Sequence, residues 1–95
     1  MNTISLKRIR EFVRLHPDSK SSLTAWYKMA KQARWKNLVE VRKAYPHADS
    51  VGNYTVFNIR GNHYRVIAEI NYQYEQILIR EILTHDEYDK NKWKS

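Results

Sequence analysis

From residue 5 to residue 45 the apolar side chains recur every three or four positions, and from residue 54 onward they tend to recur every second one. The first rhythm puts them on one stripe of a helix and the second on one face of a strand. Leu6, Ile9, Phe12 and Val13 share a stripe over residues 5–15, while Lys7, Arg8, Arg10 and Arg14 fall largely off it, and Pro17 ends the helix. Asp18 or Ser19 is placed to cap a second helix running to about Arg34. Its buried face would be Leu23, Trp26, Tyr27, Ala30 and Ala33, with a basic edge of Lys28, Lys31 and Arg34. Asn37 can cap a short third helix, with Glu40 reaching back as in a capping box, and Leu38, Val41 and Tyr45 turned inward. Pro46 closes it, and His47 to Asn53 reads as a polar loop.

Tyr54 to Ile59, His63 to Tyr72 and Gln76 to Leu83 are rich in β-branched and aromatic residues and are separated by turn residues at Arg60-Gly61-Asn62 and Gln73-Tyr74-Glu75. That spacing predicts three antiparallel strands joined by hairpins. Thr84 then caps a last helical turn, with Glu87 completing a capping box. The expected architecture is an α+β domain: N-terminal helices packed on a small antiparallel β-meander, followed by a short C-terminal helical turn. In the second strand Tyr64, Val66, Ala68 and Ile70 should face the helices, leaving His63, Arg65, Ile67 and Glu69 on the other face. In the third, strict alternation groups Leu78 with Arg80 and Ile82, so Arg65 and Arg80 can stand on neighbouring strands of one face.

Ninety-five residues make a single domain, 1–95, with one modest core. Two Gly and two Pro leave little room for linkers, and the lack of cysteine removes disulfide and thiolate chemistry, in keeping with a cytoplasmic protein. The start of the chain is basic and amphipathic without the apolar block of a signal peptide, and no apolar run is long enough to span a membrane. Charge changes the picture more. The net +7 is concentrated in residues 1–48, with eleven Lys or Arg against three Asp or Glu, whereas residues 49–95 hold six against seven. A basic half of that density implies a polyanionic partner.

The chemistry-bearing residues gather near the end of the chain. Arg65 and Arg80 would form a pair of guanidinium forks suited to a phosphate, because Arg binds oxyanions bidentately and keeps its charge. The alternative pairs them with Glu69 and Glu81 as structural ion pairs. His85 and Tyr88, three apart on a helical turn, lie on one side of it and can move protons, the phenol once its pKa is lowered by neighbouring cations. The plainer alternative makes His85 a cap residue and Tyr88 a core aromatic. Asp89, four residues beyond His85, can contact the imidazole. Metal-ligand spacing is absent, so neither metal nor cofactor is expected. Lys90, Lys92 and Lys94 around Trp93 suit RNA backbone contact and base stacking, or serve only for solubility. Gly-rich phosphate loops, a nucleophile elbow and a helix-turn-helix pattern are all missing.

Two stretches carry a family likeness: Phe57-Asn58-x-x-Gly61-Asn62-x-x-Arg65, and Ile79-Arg80-Glu81-x-x-Thr84-His85-x-x-Tyr88-Asp89. In this order the chain resembles the HigB family of type II toxins, within the RelE-like superfamily of mRNA interferases. The likeness extends over nearly the whole chain, including Trp35 to Tyr45 and the loop around Asp49. It implies an endoribonuclease that cuts mRNA in the ribosomal A site without a metal, through attack of the ribose 2′-OH, and so inhibits translation. It also implies a cognate helix-turn-helix antitoxin, HigA-like, through which alone the complex would meet DNA. Carried over by motif, Arg65, Arg80, His85 and Tyr88 are the catalytic candidates, supported by Asp89. Lys28, Lys31, Arg34 and Lys36 on the basic helices are the candidates for docking on ribosomal RNA and for meeting the antitoxin, and Lys92 is a further candidate for RNA contact. A non-catalytic RNA- or protein-binding module on the same scaffold stays open as the second reading, and a DNA-binding regulator as a third.

Overall fold

A computed structural model describes residues 1–4, 6–90 and 93. The chain runs β1 (Asn2–Ile4), α1 (Leu6–Leu15), a 3₁₀ turn (Pro17–Ser19), α2 (Lys20–Gln32), α3 (Leu38–Ala44), β2 (Asp49–Val51), β3 (Tyr54–Ile59), β4 (Tyr64–Asn71), β5 (Gln76–Thr84) and α4 (His85–Asp89). The α+β reading is correct, and the three expected strands form the centre of a five-stranded sheet of order β1-β5-β4-β3-β2. The two outer strands were not legible. β1 adds to β5 in parallel, and β2 forms within the segment read as a polar loop, antiparallel to β3. Both are three residues long and carry no alternating pattern of their own. Their pairing comes from the neighbouring strand.

Both principal helices cover one face of this sheet. Ile9 and Phe12 of α1, and Leu23, Trp26 and Ala30 of α2, pack on Phe57, Ile59, Val66, Ala68, Ile77 and Ile79. Trp26 is fully buried and meets Phe57 edge-on at 5.3 Å between ring centres. Burying each such side chain contributes about 1.5–3 kcal/mol, which sets the two layers together. Helix starts follow the residues expected, with two changes of detail. Asn37 accepts the Glu40 backbone N–H, but the Glu40 carboxylate accepts from the Lys36 N–H rather than closing the box on Asn37. Ser19 precedes α2 without capping it, because its hydroxyl donates to the His16 carbonyl.

One departure matters for the site. Strict alternation in β5 fails at a β-bulge, where Ile67 pairs with Glu81 and Ala68 with Ile79, leaving Arg80 extra. Two residues therefore stand opposite one. Ile79 and Ile82 both reach the helical core, while Arg80 and Glu81 are both exposed. Without the bulge, one of those charged groups would face the core at a large desolvation cost.

Candidate active site on the open face of the sheet

The face of the sheet turned away from the helices carries Val56 and Asn58 of β3, Arg65, Ile67 and Glu69 of β4, and Leu83 of β5, by alternation and by register. Helix α4 folds back toward this face. Its start is fixed by the Thr84 capping box with Glu87 and by a backbone bond from the His85 N–H to the His63 carbonyl at 2.9 Å. The hairpin loop after β3 thereby sets where the His85 side chain begins. That loop needs left-handed backbone at two positions. Gly61 takes one, as its lack of a Cβ allows, and Arg60 the other at φ 52°.

Arg65 lies at the centre, only 6% exposed. One guanidinium nitrogen donates to the Asn62 and Tyr64 carbonyls, both at 3.1 Å. The other donates to Asn62 Oδ1 at 2.5 Å and to His85 Nδ1 at 3.3 Å. Guanidinium has no acceptor, so Nδ1 of His85 must be the unprotonated nitrogen of that contact. The ring proton then sits on Nε2, which faces Asp89 Oδ2 at 3.0 Å. Among the described residues no carboxylate pairs with Arg65. Neutral groups of the protein take both terminal nitrogens and hold the guanidinium plane in place, so the fork expected to lie open to a phosphate is nearly buried and already hydrogen-bonded, although no described carboxylate neutralises its charge.

The guanidinium also stands 5.2 Å from the centre of the Tyr88 ring. Tyr88 stacks on Trp93 at 5.1 Å, Trp93 donates its indole N–H to the Tyr88 carbonyl at 3.0 Å, and Trp93 meets Tyr54 edge-on at 6.1 Å. Burial raises the Tyr88 pKa above its usual 10.0; Asp49 raises it too, Arg65 pulls it down, and Asp89 adds to the rise. The expected cation-lowered phenol is thus corrected: desolvation outweighs the single arginine, and Tyr88 keeps its proton at neutral pH.

Arg80 shares the open face but turns to Glu69, at 3.5 Å with both side chains about half exposed. Arg65 and Arg80 do stand on neighbouring strands of one face, and the ion-pair alternative holds for Arg80. His85 and Tyr88 share one side of the turn and both reach Arg65, and Asp89 meets the imidazole as its spacing allowed. Lys28, Lys31, Arg34 and Lys36 are exposed on the helical layer, across the sheet from Arg65. Lys92 lies outside the described residues. Asn62, Asp49 and Tyr54 were not singled out by the sequence reading as part of this site. All three fell inside the segments of family likeness, which was the one signal available for them. Among the described residues no group of His, Asp and Glu is arranged to hold a metal ion. No helix among them is long and apolar enough to cross a membrane.

Comparison with known proteins adds to this geometry. Residues 19–91 match the family model for HigB toxin, described as the RelE-like toxic component of a toxin-antitoxin system. The chain is 31% identical over 93 residues to the mRNA interferase HigB of Escherichia coli O6:H1, covering 95% of this chain and 90% of that protein. It is 28% identical over 92 residues to the mRNA interferase toxin HigB of Escherichia coli K12, covering 94% and 88%. The mRNA interferase HigB of Shigella flexneri is similar to the same extent.

Proposed function

The chain belongs to the HigB family, the RelE-like toxic component of a toxin-antitoxin system, and on that premise we propose that it is an endoribonuclease that cuts ribosome-bound mRNA and so stops translation. The observation that carries this reading is the contact chain Arg65–His85–Asp89 with Tyr88 against the guanidinium. It joins a fixed cation to two proton carriers on one open surface. That set suits metal-independent cleavage. A base removes the ribose 2′ proton, the 2′ oxygen attacks the adjacent phosphorus, and the bond to the 5′ oxygen breaks as an acid protonates it. The products are a 2′,3′-cyclic phosphate and a 5′ hydroxyl.

The contacts of His85 and the protonated state of Tyr88 support one assignment of roles. Tyr88, which holds its proton and stands against Arg65, serves as the acid for the leaving oxygen. His85 is the base through Nδ1, the nitrogen without a proton, with Asp89 on Nε2 stabilising the imidazolium that forms. In the free protein Arg65 occupies Nδ1 at 3.3 Å. A phosphate drawn to Arg65 offers the guanidinium stronger acceptors, so its arrival releases Nδ1 as it delivers the substrate. Arg80, on the same face, supplies a second positive charge. Lys28, Lys31, Arg34 and Lys36 belong to a separate surface that docks on ribosomal RNA, and Lys92 would extend contact along the message. The cognate partner is a helix-turn-helix antitoxin, which alone links the complex to DNA, and the site of action is the cytoplasm. Primer extension on translated mRNA tests the reading: Arg80→Ala and His85→Ala should each lose most cleavage, and undiminished cutting by both would overturn it.

A further inference from the structure

Beside the Arg65 cluster, Arg8, Tyr54, Ile67, Arg80, Glu81 and Trp93 line a cleft of about 250 Å³. It lies on the same open face, since Ile67 is the next residue on that side of β4 after Arg65. Arg8 comes from α1, forty residues and more from every other wall of the cleft, so sequence spacing gave no hint of it. Each arginine faces a carboxylate: Arg8 meets Glu81 at 4.0 Å and Arg80 meets Glu69 at 3.5 Å. All four side chains are about half exposed, and exposed pairs at such distances contribute little. Two guanidiniums from different elements, lightly held by exchangeable carboxylates beside an aromatic wall, make a site that an oxyanion with more acceptor oxygens can enter.

We propose that this cleft is a second phosphate subsite, which takes the phosphodiester next to the scissile one in single-stranded RNA, gripped by Arg8 and Arg80, with its nucleoside against Tyr54 and Trp93. This rests on the cleavage reading for the location of the scissile phosphate. Glu69 and Glu81 stand where the phosphate oxygens go and swing into solvent when RNA enters. The bulge in β5 is what makes the site, because it turns Arg80 and Glu81 to the same side. The ligand is an RNA strand rather than an acidic peptide because the cleft continues directly from Arg65, at the next same-side position of β4.

The carboxylates give the test its sign. A short 2′-O-methyl oligonucleotide, which lacks the attacking hydroxyl and stays intact, is titrated at several salt concentrations. Arg8→Gln should weaken binding roughly five- to ten-fold and reduce the salt slope by about 0.7, the value for one lost contact to a single strand. Glu81→Gln and Glu69→Gln should tighten binding by a few-fold, whereas a purely structural ion pair would show weaker or unchanged binding in all three. Thermal melts confirm that each variant is folded. Equal affinity and slope in parent and variants overturn the subsite, as does an Arg8→Gln protein that loses only antitoxin affinity. A parent that cuts translated mRNA while the variants bind like it refutes the subsite and leaves the cleavage reading standing. A parent with the predicted slopes that cuts nothing does the reverse.

Discussion

Replacing Tyr88 by Phe removes one oxygen and leaves the ring. Among the described residues that hydroxyl makes no hydrogen bond, while the ring keeps its stack on Trp93 and its place beside Arg65. Stability should therefore change by less than about 0.5 kcal/mol, as for substitutions away from packed or bonded groups. For a domain of this size that moves the midpoint by no more than roughly 2–4 °C. Activity should fall much further. A positioned acid is worth about a hundred- to ten-thousand-fold, or roughly 2.7–5.4 kcal/mol of barrier. The raised pKa sharpens the expectation: the parent's cleavage should not require an ionised phenol, so its rate should not climb as pH approaches 10.0. Primer extension on translated mRNA gives the rate and a melt gives the stability. Tyr88→Phe cutting within about three-fold of the parent would refute the acid role, since that is far short of the range for proton transfer. A melt lowered by more than roughly 10 °C would show that the hydroxyl holds structure instead.

Further outcomes follow from the same contacts. Arg65→Lys keeps the charge but cannot serve the Asn62 oxygens, the Tyr64 carbonyl and His85 at once. It should cost about 1–3 kcal/mol of stability in a denaturant melt and, at temperatures where it is folded, about a hundred-fold in cleavage. Tyr64 donates to Asp18 at 2.7 Å, which lowers the Asp18 pKa from 3.8 and raises that of Tyr64 from 10.0. A lowered acid stabilises above its unfolded value and loses that as pH falls through the folded one. A raised phenol stabilises below its unfolded value and loses that as pH rises through the folded one. The bond should therefore support the fold between about pH 4 and 10; Tyr64→Phe should flatten both flanks of the stability profile, and unchanged flanks would refute this origin. Lys28→Gln with Lys31→Gln should weaken ribosome association in a salt-dependent way while leaving binding of the short oligonucleotide unaltered.

Much of the molecule was legible in one dimension. Helices α1 to α3, the central strands β3 to β5 and the Thr84 box are local: each rests on a periodicity or a cap that neighbouring residues supply. The grouping of His85, Tyr88 and Asp89 is local too, because one helical turn brings them together, and the alternation of β4 put Arg65 on the face they cover. What the order of residues could not express was which groups compete once folded. The Tyr88 pKa moved opposite to expectation because its burial depends on how α4 folds back on the sheet and outweighs the pull of Arg65. Arg80 found Glu69, and Arg8 found Glu81, through a bulge whose presence follows from keeping Ile82 in the core and charge out of it. Strands β1 and β2, three residues each, exist only because β5 and β3 present open edges to them. The sequence alone determined the class of fold and the kinds of chemistry on offer, since those depend on residue type and short spacing. The tertiary structure alone decided which cations stay free for RNA and which proton sits where, since those depend on distances between residues remote along the chain.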